Sequence, residues 1–208
     1  MSAKTVSLIL AHPDKGSFNH AIAAAAAKTL KENGYRVHFH DLYKERFDPL
    51  LFEYEFSQNA PIPSAIQKHC RQISAADGIV IVHPNWWGMP PAILKGWIDR
   101  VLRPGCAYNF LEGDKGQGVP VGLLKAKTVV VFNTSNTAAR REKKVFGDPL
   151  ERIWKDCIFG LCGPKRFYRK MFHIIVTSSI QQRKQWLKET RAIIRSHFSE
   201  IRKTAKRP

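Results

Sequence analysis

Three short stretches carry residue types that can bind and activate a ligand. The first runs His12-Pro13-Asp14-Lys15-Gly16-Ser17-Phe18-Asn19 and precedes an alanine-rich segment from His20 to Leu30. Alanine runs of that length are strong helix formers, and Gly34 stops this one as a C-terminal glycine does. The first N–H groups of such a helix have no partner within it and attract an anion. Ser17 and Asn19 add short hydrogen-bonding side chains, and His12 a ring nitrogen that can donate. Taken alone, either Ser17 or Asn19 is an ordinary N-cap. Neither GxGxxG nor GxxxxGK[ST] is present, so nucleotide folds built on those motifs lose support. The second stretch is Pro84-Asn85-Trp86-Trp87-Gly88, followed by Pro90-Pro91. Two tryptophans in a proline-stiffened loop suit a flat, rigid ligand, although they could instead cover an edge of the core. The third is Asn133-Thr134-Ser135-Asn136, a run of hydrogen-bonding side chains.

Each stretch follows a short apolar run with the marks of a buried strand: Val6 to Leu10, Ile79 to Val82 and Thr128 to Phe132. Arg36 to His40 and Phe167 to Val176 supply two more strands. Helices are expected over His20 to Leu30, Pro61 to Ser74, from Ala92 through Val101, from Asp148-Pro149 to about Phe159, and from Ile180 to about Lys203. In the third, Leu94, Trp97, Ile98 and Val101 fall at i, i+3, i+4, i+7. In the last, Leu187, Thr190, Ile194, Phe198 and Ile201 form a core stripe. Lys44 to Ala60 reads as a packed loop. Pro104 to Leu124, with five glycines, is longer than an ordinary connection and of the kind that often carries function. Strands alternating with helices argue an α/β doubly wound parallel sheet in a single domain, 1–208, with a frayed basic tail at 204–208. In the order 2-1-3-4-5 the three loops lie at adjacent strand ends, around the switch point where such sheets bind ligands. A phosphate at a helix start, an aromatic wall and donors along a polar edge together describe a flavin site.

Composition narrows the classes. Charged residues at 25% and hydrophobic ones at 44% describe an ordinary globule with a sizeable core. The N-terminus lacks a secretory pattern, and no apolar stretch is long enough to span a membrane, so the expected location is the cytoplasm. Cys70, Cys106, Cys157 and Cys162 form no CxxC pair and read as reduced, mostly packed thiols, with no metal site expected. The net charge of +17 is uneven: Met1 to Thr137 holds 15 Lys+Arg against 11 Asp+Glu, and Ala138 to Pro208 holds 19 against 6. A solvated basic face is the commoner source of such a bias. No nucleic-acid motif accompanies it, which disfavours that partner and leaves contact with an anionic surface open.

The residues resemble the flavodoxin-like NAD(P)H:quinone reductases, which include mammalian enzymes and bacterial relatives attached to potassium-efflux systems. The resemblance covers most of the chain. It rests on Leu10-Ala11-His12-Pro13 with Ser17-Phe18-Asn19, on Asp41-Leu42-Tyr43 with Phe47-Asp48-Pro49, and above all on WGMPPAILKGWIDRV from Trp87 to Val101, followed by Ala107-Tyr108. It implies a flavodoxin-like fold and a flavin cofactor, with FAD slightly favoured by the Ser17-Phe18-Asn19 match and FMN the alternative. It implies that His12, Ser17, Phe18 and Asn19 hold the flavin phosphate and that Pro84, Asn85, Trp86, Trp87 and Gly88 hold its ring. Asn133, Thr134, Ser135 and Asn136 stand where the family often has Thr-Thr-Gly-Gly. Trp87 and Tyr108 are the implied catalytic-pocket aromatics, Tyr108 being contributed across a homodimer interface. The implied reaction is ping-pong, two-electron transfer from NAD(P)H through flavin to a quinone-like acceptor. The tyrosine and histidine that stabilise reduced flavin in the mammalian enzymes have no counterpart in Ala138 to Gly147, where Arg140, Arg141 and Lys143 are the available cations. Two other classes stay in view: a regulatory flavoprotein subunit of a membrane transport system and a flavodoxin-type electron carrier, the latter disfavoured by a pI near 10.0.

Overall fold

Alternating strands and helices close into one parallel sheet. The computed structural model describes residues 4–56, 60–111, 113 and 118–199. From edge to edge the sheet runs β2 (Arg36–Asp41), β1 (Thr5–Leu10), β3 (Gly78–Pro84), β6 (Thr128–Ser135) and β7 (Arg166–His173), every pair parallel. This is the expected order once the short strands β4 (Tyr108–Asn109) and β5 (Val121–Gly122), which pair only with each other, are set aside. β3 and β6 are buried along their whole length, as central parallel strands must be when helices cover both faces.

The two-residue period of the strands sorts the core into two layers. Ile9, Ile79, Ile81, Val129 and Val131 face α2 (Ser64–Ala75), α3 (Ala92–Val101) and the helical run Pro149–Cys162. Leu8, Leu10, Val80, Val82, Val130 and Phe132 face α1 (Phe18–Glu32) and α7 (Ile180–His197). The stripe expected on α7 is partly met: Thr190, Ile194 and Phe198 are buried, Leu187 packs at the margin, and Ile201 lies outside the described residues. Gly96 shows why α3 carries a glycine. A Cβ there would lie 2.2 Å from the Pro49 carbonyl oxygen, so the Phe47-Asp48-Pro49 turn packs directly on the helix backbone.

Four local expectations are corrected. The strand read as Thr128 to Phe132 continues to Ser135, so Asn133, Thr134 and Ser135 belong to β6 rather than to a loop. The strand read as Phe167 to Val176 ends at His173. The helix expected up to Phe159 comprises α5 (Pro149–Arg152), a π-helical stretch Ile153–Phe159 and α6 (Gly160–Cys162). A short helix, α4 (Ala139–Lys144), stands where none was expected. Within Lys44 to Ala60 a 3-10 turn forms at Glu53–Phe56. All four cysteines are free thiols, and Cys157 is exposed. Among the described residues no helix is long and apolar enough to cross a membrane.

Candidate functional site

The carboxyl ends of β1, β3 and β6 open into a cleft of about 410 Å³. The loop after β1 forms one wall with His12, Ser17, Phe18 and Asn19, and the loop after β3 forms another with Pro84, Asn85 and Trp86. Thr134, Ser135 and Asn136 line the floor, together with Thr137, Ile175 and Arg183. The start of α1 is built to receive an anion. Ser17 caps the helix, and the N–H groups of Phe18 and Asn19 lie in its first turn, where no intrahelical acceptor exists. The Phe18 ring itself is core, packed on Phe172 and Trp186, so only its main chain serves the cleft. His12 Nδ1 meets the Asp14 N–H at 3.1 Å and the Asp14 carbonyl at 3.2 Å. Burial lowers the His12 pKa, the Asp14 carbonyl and charge opposing and nearby His20 adding to the fall.

The loop after β3 is rigid for identifiable reasons. Trp86 and Met89 exchange both main-chain hydrogen bonds across Trp87-Gly88. Both central residues have positive φ, 57° at Trp87 and 75° at Gly88, the signature of a tight turn that glycine adopts freely and tryptophan only rarely. A Cβ at Gly88 would also meet Pro149 at 2.8 Å. Asn85 ties the turn down three ways: its N–H donates to the Thr134 carbonyl (2.7 Å), its Oδ1 accepts from the Gly88 N–H (3.0 Å), and its Nδ2 donates to Glu142 (2.6 Å).

Beneath the cleft lies a second layer of polar contacts. His83 is fully buried, its Nδ1 bonded to the Pro84 carbonyl (2.8 Å) and its Nε2 accepting from Trp154 (2.9 Å) and Asn133 (2.8 Å). Burial lowers its pKa to about 4, the Pro84 carbonyl opposing and Arg169 adding to the fall, so it is a neutral pin under the aromatic loop. Arg169 in turn donates to Asn133 Oδ1, Glu151 and Asp148.

The structure therefore divides the residues singled out in the sequence. Asn133 is completely buried and its amide is committed to His83 and Arg169, so its side chain supports the cleft rather than lining it. Trp87 is 98% exposed and does not line the cleft, and Gly88 shapes the turn without lining it. Tyr108 borders a different cavity of about 700 Å³, with Leu51, Phe56, Leu102 and Arg103. Arg140, Arg141 and Lys143 are exposed on α4, away from the cleft, with Arg141 over the Phe146 ring. The cleft cation is Arg183, held by Ser178 Oγ (2.8 Å) and the Ile175 carbonyl (2.9 Å). Its only sequence signal was a place in the first turn of α7, behind the Ser179 cap.

The donor set fits a phosphate-bearing flat ligand. Asn19 Nδ2 donates to Thr134 Oγ1 (2.9 Å), while its buried Oδ1 makes no hydrogen bond, leaving an acceptor for a ligand hydroxyl or N–H. Outside the cleft, the cluster of His40, Glu45 and His69 does not read as a metal site. Trp97 donates to His69 Nδ1 (3.1 Å), which leaves the neutral ring's proton on Nε2, facing Glu45 at 3.1 Å. Burial opposes ionisation of Glu45, but hydrogen bonds from His40 and His69 outweigh it and hold the carboxyl at about 2. The trio is a hydrogen-bonded brace.

The family model described as "Flavodoxin-like fold" matches residues 4–198. The chain belongs to this flavodoxin-like family. It is 37% identical over 169 residues to a Haemophilus influenzae protein named as an uncharacterized NAD(P)H oxidoreductase, covering 79% of this chain and 81% of that one. It is 29% identical over 223 aligned positions to the rat ribosyldihydronicotinamide dehydrogenase [quinone], covering 93% of each. The solved NAD(P)H:quinone oxidoreductase of Methanothermobacter marburgensis has the same fold, with a TM-score of 0.79, 24% identity, and coverage of 94% of this chain and 97% of that one. A flavodoxin-like sheet explains the site's position: the cleft sits where β1 and β3 diverge to opposite sides of the strand order.

Proposed function

We propose that the chain is a flavin-dependent NAD(P)H oxidoreductase that reduces a quinone-like acceptor. The observation that carries the reading is the cleft itself, at the ends of the three central strands: it gathers the amides at the start of α1, Arg183 and the orphaned Asn19 Oδ1. The names of the Haemophilus and rat relatives support the substrate pair. Ser17, the Phe18 and Asn19 amides and Arg183 would hold the phosphate. Pro84, Asn85 and Trp86 would bound the ring, with Thr134 to Asn136 at its polar edge. Flavin bound there supplies two-electron chemistry in ping-pong fashion, with NAD(P)H as donor and the quinone as acceptor. The chain's share is orientation: Asn85, Glu142 and His83 fix the loop, and donors lining the cleft favour negative charge there.

FAD is the proposed form, on the Ser17-Phe18-Asn19 match, with FMN the other outcome of a binding titration. A homodimer is proposed because Trp87, Met89, Phe56, Phe110 and Leu111 are exposed apolar side chains near Tyr108 or the aromatic loop, and a second copy would cover them. The chain is taken to act as a single flavin-binding unit in the cytoplasm, its basic C-terminal half free to meet an anionic surface. The experiment is direct. Purified full-length protein should show oxidised-flavin absorbance that NADH or NADPH bleaches and a quinone restores. A colourless protein that takes up neither FMN nor FAD would sink the reading.

A further inference from the structure

Ser17 is more than a helix cap. Its Oγ lies 3.0 Å from His20 Nδ1, and His20 Nε2 lies 3.3 Å from Asp41 Oδ2. The Asp41 carboxylate is largely buried and also accepts from the Lys44 N–H at 3.1 Å. A serine at an anion site is thus wired through a histidine to a sheltered carboxylate.

The protons in this chain are constrained. An ionised Asp41 accepts, so the His20 proton of the neutral ring sits on Nε2. Nδ1 is then a bare acceptor, and the Ser17 hydroxyl satisfies it by turning its hydrogen inward. The His20 main-chain N–H occupies one Oγ lone pair, so in that state Ser17 presents only its remaining lone pair to the cleft, the wrong polarity for a phosphate. If His20 takes a second proton, Nδ1–H donates to Ser17 Oγ and the hydroxyl hydrogen is released toward the cleft. Asp41 stabilises the imidazolium so formed.

We propose that His20, positioned by Asp41, couples binding of a phosphate group at Ser17 to uptake of one proton. This rests on the reading of the cleft as a flavin-phosphate site and assigns His20 as a positioning residue, not a catalytic one. The surrounding charges set the balance. Asp41 favours the imidazolium. Lys15, Lys44 and Arg46, which line the same small cavity of about 330 Å³, oppose it, as does His12, whose ring centroid is 6.3 Å away. Asp14, bonded to His12, offsets part of that opposition. A bound phosphate adds negative charge beside Ser17 and tips the equilibrium toward the protonated ring.

The linkage has a definite sign. Binding that takes up a proton weakens as pH rises past the histidine range, by up to about tenfold per pH unit. Full-length protein cleared of flavin is titrated with FMN, and with riboflavin, which lacks the phosphate, from about pH 6 to about pH 8.5. The phosphate's own ionisation affects wild type and variants alike, so the comparison with His20→Gln and Asp41→Asn isolates the coupling. FMN affinity should fall with pH more steeply in wild type than in either variant, while riboflavin affinity shows no such difference. Equal FMN slopes in wild type and His20→Gln would overturn the proposal. A second readout needs no variant: ¹⁵N-imidazole signals of His20 should move from the neutral Nε2–H form to the doubly protonated form when inorganic phosphate is added. No change at saturating phosphate overturns the coupling. Protonation by phosphate without any FMN or FAD binding would instead remove the flavin reading and leave the coupling standing.

Discussion

The cleft at the carboxyl ends of the central strands and the flank around Tyr108 are secured by different physics. In the cleft, neutral hydrogen bonds tie side chains to one another and to the main chain beneath the ligand space: Gly88 N–H to Asn85 Oδ1, Asn133 and Trp154 to His83 Nε2, and His83 Nδ1 to the Pro84 carbonyl. The flank instead carries a buried ionic clasp. Glu55, 3% exposed, receives Arg100 at 2.8 Å and Arg103 at 3.4 Å, and Arg100, 2% exposed, also donates to the Asp48 carbonyl at 2.7 Å. Around that clasp the surface is apolar and open, with Phe56, Phe110 and Leu111 exposed beside the 700 Å³ cavity. The cleft draws its lining from three strand ends of this chain, whereas the flank exposes a cluster of large apolar side chains. The difference separates cofactor retention, which should depend on the first region, from acceptor binding and assembly, which should depend on the second.

The largest effect that can break this comparison is removal of the clasp. Glu55→Ala strands two arginines, one of them fully enclosed, and should cost about 3–5 kcal/mol of unfolding free energy by urea denaturation. A loss below about 1 kcal/mol would show that the flank relaxes without it.

Next in size is a pH effect from the cleft's foundation. His83 has its folded pKa depressed from 6.5 to about 4, because burial disfavours the charged ring. Its stabilising contribution is therefore present above the unfolded value and is lost as pH falls from 6.5 toward 4. The full contribution is about 3 kcal/mol. Urea melts at the two ends of that window should show a drop in wild type that is reduced in His83→Gln.

Arg183→Ala should weaken flavin binding by roughly tenfold to a hundredfold, the worth of one charge-assisted hydrogen bond. Tm without flavin should hardly move. The smallest effect sharpens the contrast from the other side. Leu111→Ser should shift the oligomeric state measured by light scattering while leaving flavin content unchanged.

Legibility in the sequence followed the same division. The five strands were readable because Ile79 to Val82 and Thr128 to Phe132 are β-branched, apolar and bounded by turn residues, signals that packing reinforces. The loops after β1 and β3 were readable because Ser17, Trp86 and Gly88 are informative residue types where they stand. What could not be read depended on distant partners. Asn133 looked like a cleft donor until β6 proved to run on to Ser135, which turns its side chain toward His83 and Arg169. α4 has no apolar period, and its one buried residue is Glu142, whose role lies in Asn85, 57 positions away. Arg183 sat among Gln181, Gln182 and Lys184 and resembled any solvated face. Tyr108 and Val121-Gly122 form strands only because each pairs with the other.

The central claim is that phosphate-bearing flavin occupies the cleft between β1, β3 and β6, with its phosphate on the first turn of α1. A crystal structure of the full-length protein grown with FMN or FAD tests it most directly. The account predicts phosphate oxygens within hydrogen-bonding reach of Ser17 and the Phe18 and Asn19 amides, with the ring beside Trp86. Flavin found instead in the cavity beside Tyr108, with the α1 amides facing only solvent, would contradict it.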